Sequence, residues 1–394
     1  MNKKETPSLL LMIVLVAFPQ ISETIYTPSL PDISMSFAAT NSWVQMTLSI
    51  YFVGFALGVF CWGWISDLIG RRPAMLGGLV VYGIGSIMCL VAPSIVWLLA
   101  GRFIQAFGAA TGSIITQTIL RESVSGSKRH AMFAQISAVI AFTPAAGPLI
   151  GGWVDQVFGF RAVFFVLVGM SVLLFAYTFV KLEETRKQSD RNKVAVFPVV
   201  RRIVASSRIL TFGLLIGGLN GVLFSYYAEA PFIFIDQFNL SPGLYGFLGV
   251  LVALAVVLGA IISKKLLLTR SAETIIHIGC FVMFIGSLLL TVVCVLAHEL
   301  NWFVFVCILF TLFIVLLGEG MALPNCLSLA LVGFQDVIGT AGAIFSAGYY
   351  LVVSLVTTGM SLLHNGLLVT MPMYFFILST VMFLLGRLFI RQQS

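Results

Sequence analysis

Residues 63–73 read GWISDLIGRRP and connect two apolar runs, residues 43–63 and 74–92. Each run has about the 20 residues that a helix needs to cross the hydrocarbon core of a bilayer. The charged stretch between them is too polar to be buried in lipid, so it marks a turn at the membrane surface. The stretch therefore predicts two antiparallel membrane helices joined on one side of the membrane.

The turn has a specific order of residue types. Glycine permits close helix packing and a tight turn, an acid can accept hydrogen bonds at a helix end, and proline suits the first turn of a helix. Any cytoplasmic turn could hold an acid, a glycine and two arginines, but the full spacing found here is more specific. The residues predicted to form a cytoplasmic latch are Gly63, Asp67, Gly70, Arg71 and Arg72.

Composition extends the prediction to the whole chain. Of the 394 residues, 59% are hydrophobic and only 9% are charged, whereas soluble chains carry about 25% charge. Twelve apolar runs without strand-like alternation are long enough to span a bilayer, which predicts an all-α integral membrane protein. The predicted spans are residues 8–30, 43–63, 74–92, 95–120, 130–153, 160–181, 209–232, 244–264, 274–296, 302–331, 338–362 and 367–390.

Positive charge is strongly one-sided along the chain. If the spans alternate in direction, only Arg102 and Arg161 of the 22 lysine and arginine residues leave the common side. By the positive-inside rule, this side and both chain termini are cytoplasmic. The net charge of +7 is therefore a topology signal with a weaker contribution from anionic lipid, and no nucleic-acid partner is expected. The chain is therefore expected to cross a membrane that borders the cytoplasm several times.

A polar, basic stretch between Glu183 and Ser207 divides the chain. We predict six-helix bundles at residues 1–181 and 208–394, joined by a cytoplasmic linker at residues 182–207. The later part of the stretch mixes apolar residues with arginines, which allows a short amphipathic helix on the membrane surface; a solvated linker is the favoured interpretation. Two halves with similar spans indicate a transporter that rocks around a site between its bundles.

Two charges lie at the same predicted depth in the first bundle. Arg102 interrupts an otherwise uncharged stretch, and a charge there costs at least ~2.5 kcal/mol. Glu23 is the only charge within the first span. At a rise of about 1.5 Å per residue, both side chains should lie roughly 10 Å below the outer boundary. We therefore predict an Arg102–Glu23 ion pair, either a switch that protonation of Glu23 releases or a static bridge that fixes helix packing.

Two further acids lie in apolar spans of the second half. Glu229 is near the outer end of the seventh span, where water could simply wet it or where it could take part in coupling. Glu319, between two glycines nearer the middle of the tenth span, could be a second proton site or bind a cationic substrate. If that span ends earlier, Glu319 is an interfacial acid. The second half shows no basic counterpart of Arg102, so proton handling should centre on the first bundle.

The sequence shows no pattern of an enzyme or a metal site. The six cysteines stand singly, and the four histidines share no ligand spacing. No nucleophile motif or phosphate-binding glycine loop is present, so transport would be driven by an ion gradient. We expect no metal, no cofactor and no enzymatic activity.

Three motifs occur in the order of a known family. Residues 63–73 resemble the cytoplasmic signature loop of the major facilitator superfamily. Residues 102–112, RFIQAFGAATG, and residues 147–152, GPLIGG, resemble the span-4 and span-5 motifs of its drug:proton antiporter branch. The glycine–proline motif should kink the fifth span or let another helix approach closely. The matching positions are Arg102, Gln105, Gly108 and Gly112 in span 4, and Gly147, Pro148, Gly151 and Gly152 in span 5.

The resemblance is closest to the Bcr/CflA-type efflux proteins, through SETIYTPSLPDI (22–33) and AEAPFIFID (228–236). In that group the span-1 acid is usually aspartate, whereas this chain has Glu23. The loop after span 8, SKKLLLTRSAET, lacks the glycine and aspartate of the signature loop, so no second latch is implied.

The resemblance implies a two-bundle major facilitator fold in a bacterial cytoplasmic (inner) membrane. It further implies export of small organic compounds, drug-like or amphipathic, in exchange for protons. Glu23 would bind proton and substrate, and Arg102 would modulate it. Tyr26, Tyr226 and Tyr227 could line a cavity for flat organic molecules. The alternatives are an exporter dedicated to one metabolite, such as a siderophore or an amino acid derivative, and a membrane sensor or scaffold without transport. The expected partners are a small-molecule substrate, protons and membrane lipid, and a monomer is expected.

Overall fold

The computed structural model describes residues 8–123, 126–185 and 196–391. These residues form fourteen α-helices, and none of them lies in a β-strand. The predicted all-α membrane fold is confirmed. The helices are α1 (Leu9–Thr24), α2 (Leu30–Ser36), α3 (Asn41–Ile69), α4 (Arg71–Leu90), α5 (Ile95–Ser123), α6 (Gly126–Phe158), α7 (Phe160–Lys181), α8 (Val196–Val204), α9 (Ser207–Pro231), α10 (Pro242–Leu266), α11 (Ala272–Leu296), α12 (Trp302–Ala330), α13 (Ile338–Leu363) and α14 (Thr370–Arg391).

Eleven stretches of the described ranges are long and apolar enough to cross a membrane. They coincide with eleven of the twelve predicted spans. The fifth predicted span, residues 130–153, lies inside α6, a helix of 33 residues. Helices form throughout because the bilayer core offers no water to the backbone, and a helix pairs nearly every N–H and C=O within its own segment. The count of twelve spans stays a prediction.

The first span is not the single helix that was predicted. α1 ends at Thr24, a 3₁₀ turn follows at Thr27–Ser29, and α2 begins after it. Pro28 and Pro31 lack the backbone N–H that a continuous helix requires. Glu23 is consequently the second-last residue of α1, beside an irregular piece of backbone.

The seventh span repeats this arrangement in the second half. α9 ends at Pro231, and Phe232–Gln237 forms a π-helical turn, a rare conformation that is frequent at functional sites. Glu229 lies two residues before Pro231, as Glu23 lies shortly before Pro28. Both halves therefore place a buried acid next to irregular backbone in their first span.

Helices of the two halves meet along two seams. In the first half α5 packs against α1, α3 and α4, and in the second half α12 packs against α9, α10 and α11. Between the halves, α3 packs against α13 and α6 packs against α10. These two seams are the surfaces along which the halves could separate. The division at residues 182–207 itself stays a prediction.

The two ends of the helix assembly carry different groups. The basic end holds the α3–α4 turn with Arg71 and Arg72. The opposite end, where α3 begins and α13 ends, is the far end. The α3–α13 seam is held near the far end by a hydrogen bond from the Ser361 hydroxyl to the carbonyl oxygen of Ser42. At the same end, the start of α10 lies directly on Gly152 of α6. Both seams are therefore closed at the far end.

A short helix, α8, forms in the predicted linker. Val199 and Ile203 of α8 are buried, and the helix packs against α13. Arg202 stacks over the ring of Phe334 at 4.2 Å. A solvated linker is therefore wrong for this part of the chain, which forms the amphipathic helix of the alternative interpretation. Residues 186–195 of the linker lie outside the described residues.

Candidate functional site

The Arg102 side chain is fully buried between two aromatic rings. Its guanidinium carbon lies 4.0 Å from the centre of the Tyr26 ring and 4.2 Å from that of Tyr51. Nη1 donates to the carbonyl oxygen of Ser22 at 3.2 Å and to Oε1 of Gln105 at 2.5 Å. A desolvated cation over an aromatic face gains about 2 kcal/mol or more. Aromatic faces and two oxygen acceptors therefore stabilise this buried charge.

Glu23 lies next to Arg102 but does not form the predicted ion pair. The bond from Arg102 to Ser22 confirms that the two charged residues share one level of the bundle. Glu23 is 6% exposed, and within the described part of the chain its carboxylate has no ion-pair or hydrogen-bond partner. Nε and Nη2 of Arg102 are also buried without a hydrogen-bond partner. The predicted direct pair is absent in this conformation, in which Nη1 of Arg102 binds the Ser22 carbonyl oxygen and Gln105 instead.

The span-4 motif positions the arginine. Nε2 of Gln105 donates to the hydroxyl oxygen of Ser86 in α4 at 2.8 Å, so the amide that accepts from Arg102 is itself fixed. Gly108 lies against the backbone of α4, and Gly112 lies against a carbonyl oxygen of α1. A methyl group at either glycine would overlap with these atoms. The motif thus brings α1, α4 and α5 together around the guanidinium.

The span-5 motif is a packing surface on α6. Gly147 and Gly151 face the end of α1, and a methyl group at Gly151 would overlap the carbonyl oxygen of Ile25. Gly152 faces the start of α10. α6 continues through Pro148 without a break. The motif therefore lets α6 contact both the irregular part of the first span and, at the α6–α10 seam, the second half. A role of Gly147 and Pro148 as a hinge stays a prediction.

Glu319 lies inside α12 rather than at its end. The helix runs on to Ala330, and Gly318 and Gly320 pack against the backbones of α11 and α10. The residue is 1% exposed, and both of its carboxylate oxygens are buried without a hydrogen-bond partner. An interfacial position is therefore excluded. A buried carboxylate without partners is costly, which suits a group that takes up a proton or a cation.

Glu229 belongs to a buried polar cluster at the far end. Its Oε2 lies 2.8 Å from Nδ1 of His364, which directly follows α13. Nε2 of Gln45 in α3 donates to the same oxygen at 2.5 Å, and Nδ2 of Asn41 lies 3.3 Å from Nε2 of His364. The expectation that water simply wets Glu229 is wrong. The second half also supplies a basic partner for an acid, which the sequence did not indicate.

The three tyrosines predicted to line a cavity are all buried. Tyr26 forms one side of the arginine site. The rings of Tyr226 and Tyr227 contact each other at 5.4 Å, and Tyr227 lies within electrostatic range of both Glu23 and Glu319. Tyr227 is therefore near a buried acid of each half.

The predicted latch contains an ion-pair network at the basic end. The Arg71 side chain is 8% exposed and lies between two carboxylates. Its Nη1 is 2.5 Å from Oδ1 of Asp67, and its Nη2 is 2.6 Å from Oε1 of Glu122. Glu122, at the end of α5, was not predicted. The network fixes the α3–α4 turn to the fourth span.

The rest of the latch shapes the turn itself. Gly70 has a φ of +106°, a conformation that favours glycine. Glu184 accepts hydrogen bonds from the backbone N–H groups of Arg71 and Arg72 at 2.9 and 3.1 Å, which satisfies donors at the start of α4. A methyl group at Gly63 would make only ordinary contacts. Close packing at Gly63 is therefore not seen in this conformation.

Arg71→Ala is expected to lower the stability of the protein. Removing one partner of a buried ion pair costs about 3–5 kcal/mol, and the exposure of Asp67 and Glu122 should reduce the loss to about 2–3 kcal/mol. The measurement is the apparent melting temperature of the purified protein in detergent. Arg270→Ala, at an exposed position of the same end, is the control. An unchanged melting temperature in Arg71→Ala would show that the network does not hold the turn.

In the described ranges, no three metal-ligating side chains come together, and the six cysteines are unbridged. The groups that the site does offer are two buried acids, a buried arginine and aromatic faces. Such groups, enclosed by long apolar helices in two facing halves, define a membrane transporter.

The chain belongs to the Major Facilitator Superfamily, whose sequence signature matches residues 12–357. A Rickettsia bellii (strain RML369-C) protein described as an uncharacterized transporter is 34% identical over 377 residues, which cover 94% of this chain and 93% of that protein. A chloramphenicol resistance protein of Pseudomonas aeruginosa is 27% identical over 359 residues, 90% of this chain and 84% of that protein.

The fold is shared with solved structures of distant sequence. A bacterial homolog of the human lysosomal transporter Spinster, in an inward-facing and unoccupied conformation, superposes with a TM-score of 0.75. The two sequences are 16% identical, and the match covers 99% of each chain. The fold of the protein is thus that of a major facilitator transporter.

Proposed function

We propose that this protein exports small organic compounds, drug-like or amphipathic, across the cytoplasmic membrane in exchange for protons. The observation that carries the proposal is that Glu23 and Arg102 are buried side by side without pairing with each other. A buried carboxylate without partners lies beside a buried guanidinium with two unpartnered nitrogen atoms. A static bridge would satisfy both groups, whereas this arrangement leaves both ready to change partners.

Protonation of Glu23 changes what the site can bind. The ionised carboxylate can pair with Nε and Nη2 of Arg102 or with a donor group of the cargo, and the protonated carboxyl loses its charge. In a low-dielectric interior, the ionised and the protonated carboxyl group differ greatly in their electrostatic attraction for a positively charged or hydrogen-bond-donating partner. Tyr26 and Tyr51 hold the guanidinium in place in both states. Proton and cargo therefore compete for one acid, which is the requirement for exchange.

Alternating access is proposed to come from the two bundles, residues 1–181 and 208–394, linked by residues 182–207. The α3–α13 and α6–α10 seams are the contacts that would separate and re-form. With the basic end and both termini in the cytoplasm, the far end, where both seams are closed, would be the side on which cargo is released. The name of the chloramphenicol resistance relative supports a small organic cargo.

The direct test uses purified protein in liposomes with an imposed pH gradient, acidic inside. Ethidium represents cationic cargo and chloramphenicol neutral cargo. We expect the gradient to drive accumulation of at least one of them, with matching proton release from the lumen, and a protonophore to abolish both signals. Proton movement with a siderophore or an amino acid derivative alone would instead favour a dedicated exporter. No movement with any compound would contradict transport.

Glu319→Gln is expected to weaken binding of cationic cargo but not of neutral cargo. A cation about 4 Å from a carboxylate gains about 4 kcal/mol at an effective dielectric constant of about 20. After the cost of desolvation, we expect the affinity for ethidium to fall at least tenfold, which corresponds to about 1.4 kcal/mol. Ethidium fluorescence and competition by chloramphenicol measure the two affinities. Glu299→Gln, at an exposed acid, is the control, and an unchanged ethidium affinity in Glu319→Gln would rule out this role.

A further inference from the structure

Asp155 is a buried acid of α6 that the exchange at Glu23 does not use. It lies in the last turn of this helix, just beyond the predicted fifth span, and is 6% exposed. Its Oδ1 is buried without a hydrogen-bond partner in the described part of the chain. The hydroxyl of Ser29 lies near the carboxyl group, and its oxygen is equally unpartnered there. Asp155 is therefore buried where α6 packs against the 3₁₀ turn of the first span.

A second carboxylate, that of Asp32 on α2, lies within electrostatic range of Asp155. Oδ2 of Asp32 accepts a hydrogen bond from the backbone N–H of Phe160 at 3.1 Å, and Oδ1 accepts one from the Ser36 hydroxyl at 3.2 Å. Donors to both oxygens favour the ionised form of Asp32. Two neighbouring carboxylates repel each other, so a proton on one of them is favoured. The unpartnered Asp155 is the group that takes it.

No cation neutralises Asp155 within the described ranges. The neighbouring helix ends contribute Asp32, Arg161 on α7 and the neutral phenol of Tyr245 on α10. Arg161 donates to two backbone carbonyl oxygens near the end of α4 instead. The carbonyl oxygens at the end of α6 add negative potential, which also disfavours an ionised acid. Burial, followed by the Asp32 carboxylate and against the effect of the Ser29 hydroxyl, raises the pKa of Asp155 to about 6.

We propose that Asp155 is a second proton-binding site of this protein, located at the far end beside the ionised carboxylate of Asp32. Only its place in a transport cycle rests on the proposed function, in which protons are taken up from the far side. The protonated carboxyl group can donate a hydrogen bond, whereas the ionised group is a buried charge without a partner. Protonation therefore stabilises the contact of α6 with the first span, where Gly151 faces the carbonyl oxygen of Ile25.

The test is a pH titration of the full-length protein in lipid nanodiscs, followed by infrared difference spectroscopy. The C=O stretch of a protonated carboxyl group reports proton binding directly. We expect the parent to gain such a band between about pH 8 and about pH 5, with a midpoint at a pH of about 6. Asp155→Asn should lack this band. Glu299→Gln, at an exposed acid of the same end, should keep it.

Asp32→Asn distinguishes a proton site next to a charge from an acid that is merely buried. Asparagine keeps an oxygen that can accept from the N–H of Phe160, but it removes the negative charge. The band of Asp155 should therefore remain, with its midpoint at a lower pH. The same band in Asp155→Asn and in the parent would overturn the proposal, as would an unshifted midpoint in Asp32→Asn.

The apparent melting temperature gives a second readout with a defined sign. The folded-state pKa of Asp155 is raised, so the stability that its proton supplies is lost as the pH rises through about 6. Asp155→Asn should therefore melt at a higher temperature than the parent at about pH 8, and acid should narrow this difference. At about pH 5 the narrowing corresponds to about a tenfold change in the ratio of folded to unfolded parent. A difference that acid does not narrow would contradict the proposal.

Both measurements are made without cargo and without a pH gradient across a membrane. Asp155 can fail them while Glu23 still supports proton exchange in liposomes, and it can pass them where no exchange is found. Failure of the second proton site and failure of the proposed function are therefore distinguishable.

Discussion

Glu23→Gln is expected to reduce proton-driven accumulation of cargo to the level of liposomes without protein. Glutamine keeps the size of the side chain and the packing at the end of α1, but it cannot release or bind a proton at this position. Exchange of labelled cargo for unlabelled cargo without a gradient should continue, since this process needs no proton. The measurement compares gradient-driven accumulation with such exchange, using the compound that the parent transports.

A matched control for this substitution is Glu299→Gln, at an exposed acid of the far end. It removes the same charge from the chain, so it should leave both processes unchanged. Full gradient-driven accumulation by Glu23→Gln would contradict the role of Glu23 as the coupling site. If a normally folded Glu23→Gln variant lost both gradient-driven accumulation and cargo exchange, Glu23 would be assigned to cargo binding alone.

Arg102→Lys is expected to lower transport about tenfold or more although the positive charge is kept. The guanidinium carbon lies over the ring of Tyr26 at 4.0 Å and over the ring of Tyr51 at 4.2 Å. An ammonium group is compact and cannot stack in this way, and loss of one desolvated cation–π contact costs about 2 kcal/mol. Initial transport rates in liposomes, at equal amounts of folded protein, give the result.

Arg161→Lys is the control for the arginine. Arg161 also donates to two backbone carbonyl oxygens and lies over an aromatic ring, that of Phe160, but it is exposed at the far end. We expect Arg161→Lys to transport at the parent's rate. Equal rates for Arg102→Lys and the parent would show that transport needs only the positive charge at this position. The contacts of the guanidinium with the Tyr26 and Tyr51 rings would then not be required.

The positions of the helices could be predicted because a helix that crosses the bilayer needs about 20 consecutive, mostly apolar residues. The sixth span was predicted at residues 160–181, and α7 runs from Phe160 to Lys181. The first span was less predictable, although Pro28 and Pro31 were visible. A proline shows where a helix is weakened, but whether the chain then continues, kinks or restarts depends on the neighbouring helices.

The arginine site was predicted only in part. The depth of Glu23 and Arg102 follows from helix rise, and the bond from Arg102 to Ser22 confirms it. The choice of partner does not follow from depth, because rotation of each helix about its axis decides which side chains face each other. Glycine faces on α5 and α6 help to set this rotation, and Nη1 of Arg102 consequently meets the Ser22 carbonyl oxygen and Gln105 rather than Glu23.

The buried polar cluster of Glu229, His364, Gln45 and Asn41 could not be predicted from spacing. Glu229 is 184 residues from Gln45 and 135 residues from His364, and no motif joins the three. One signal was present, since Gln45 is a polar residue at the start of an apolar run. Its neighbours, Glu229 on α9 and His364 directly after α13, are brought to it only by the packing of these helices against α3.

The central claim, that Glu23 binds the proton that cargo replaces, is tested most directly by proton release on binding. Purified protein in weakly buffered detergent solution is mixed with the cargo that the parent transports, and a pH indicator records the protons set free. The account predicts release by the parent and by Glu299→Gln, and none by Glu23→Gln when binding is saturated. Equal release by Glu23→Gln and the parent would contradict it.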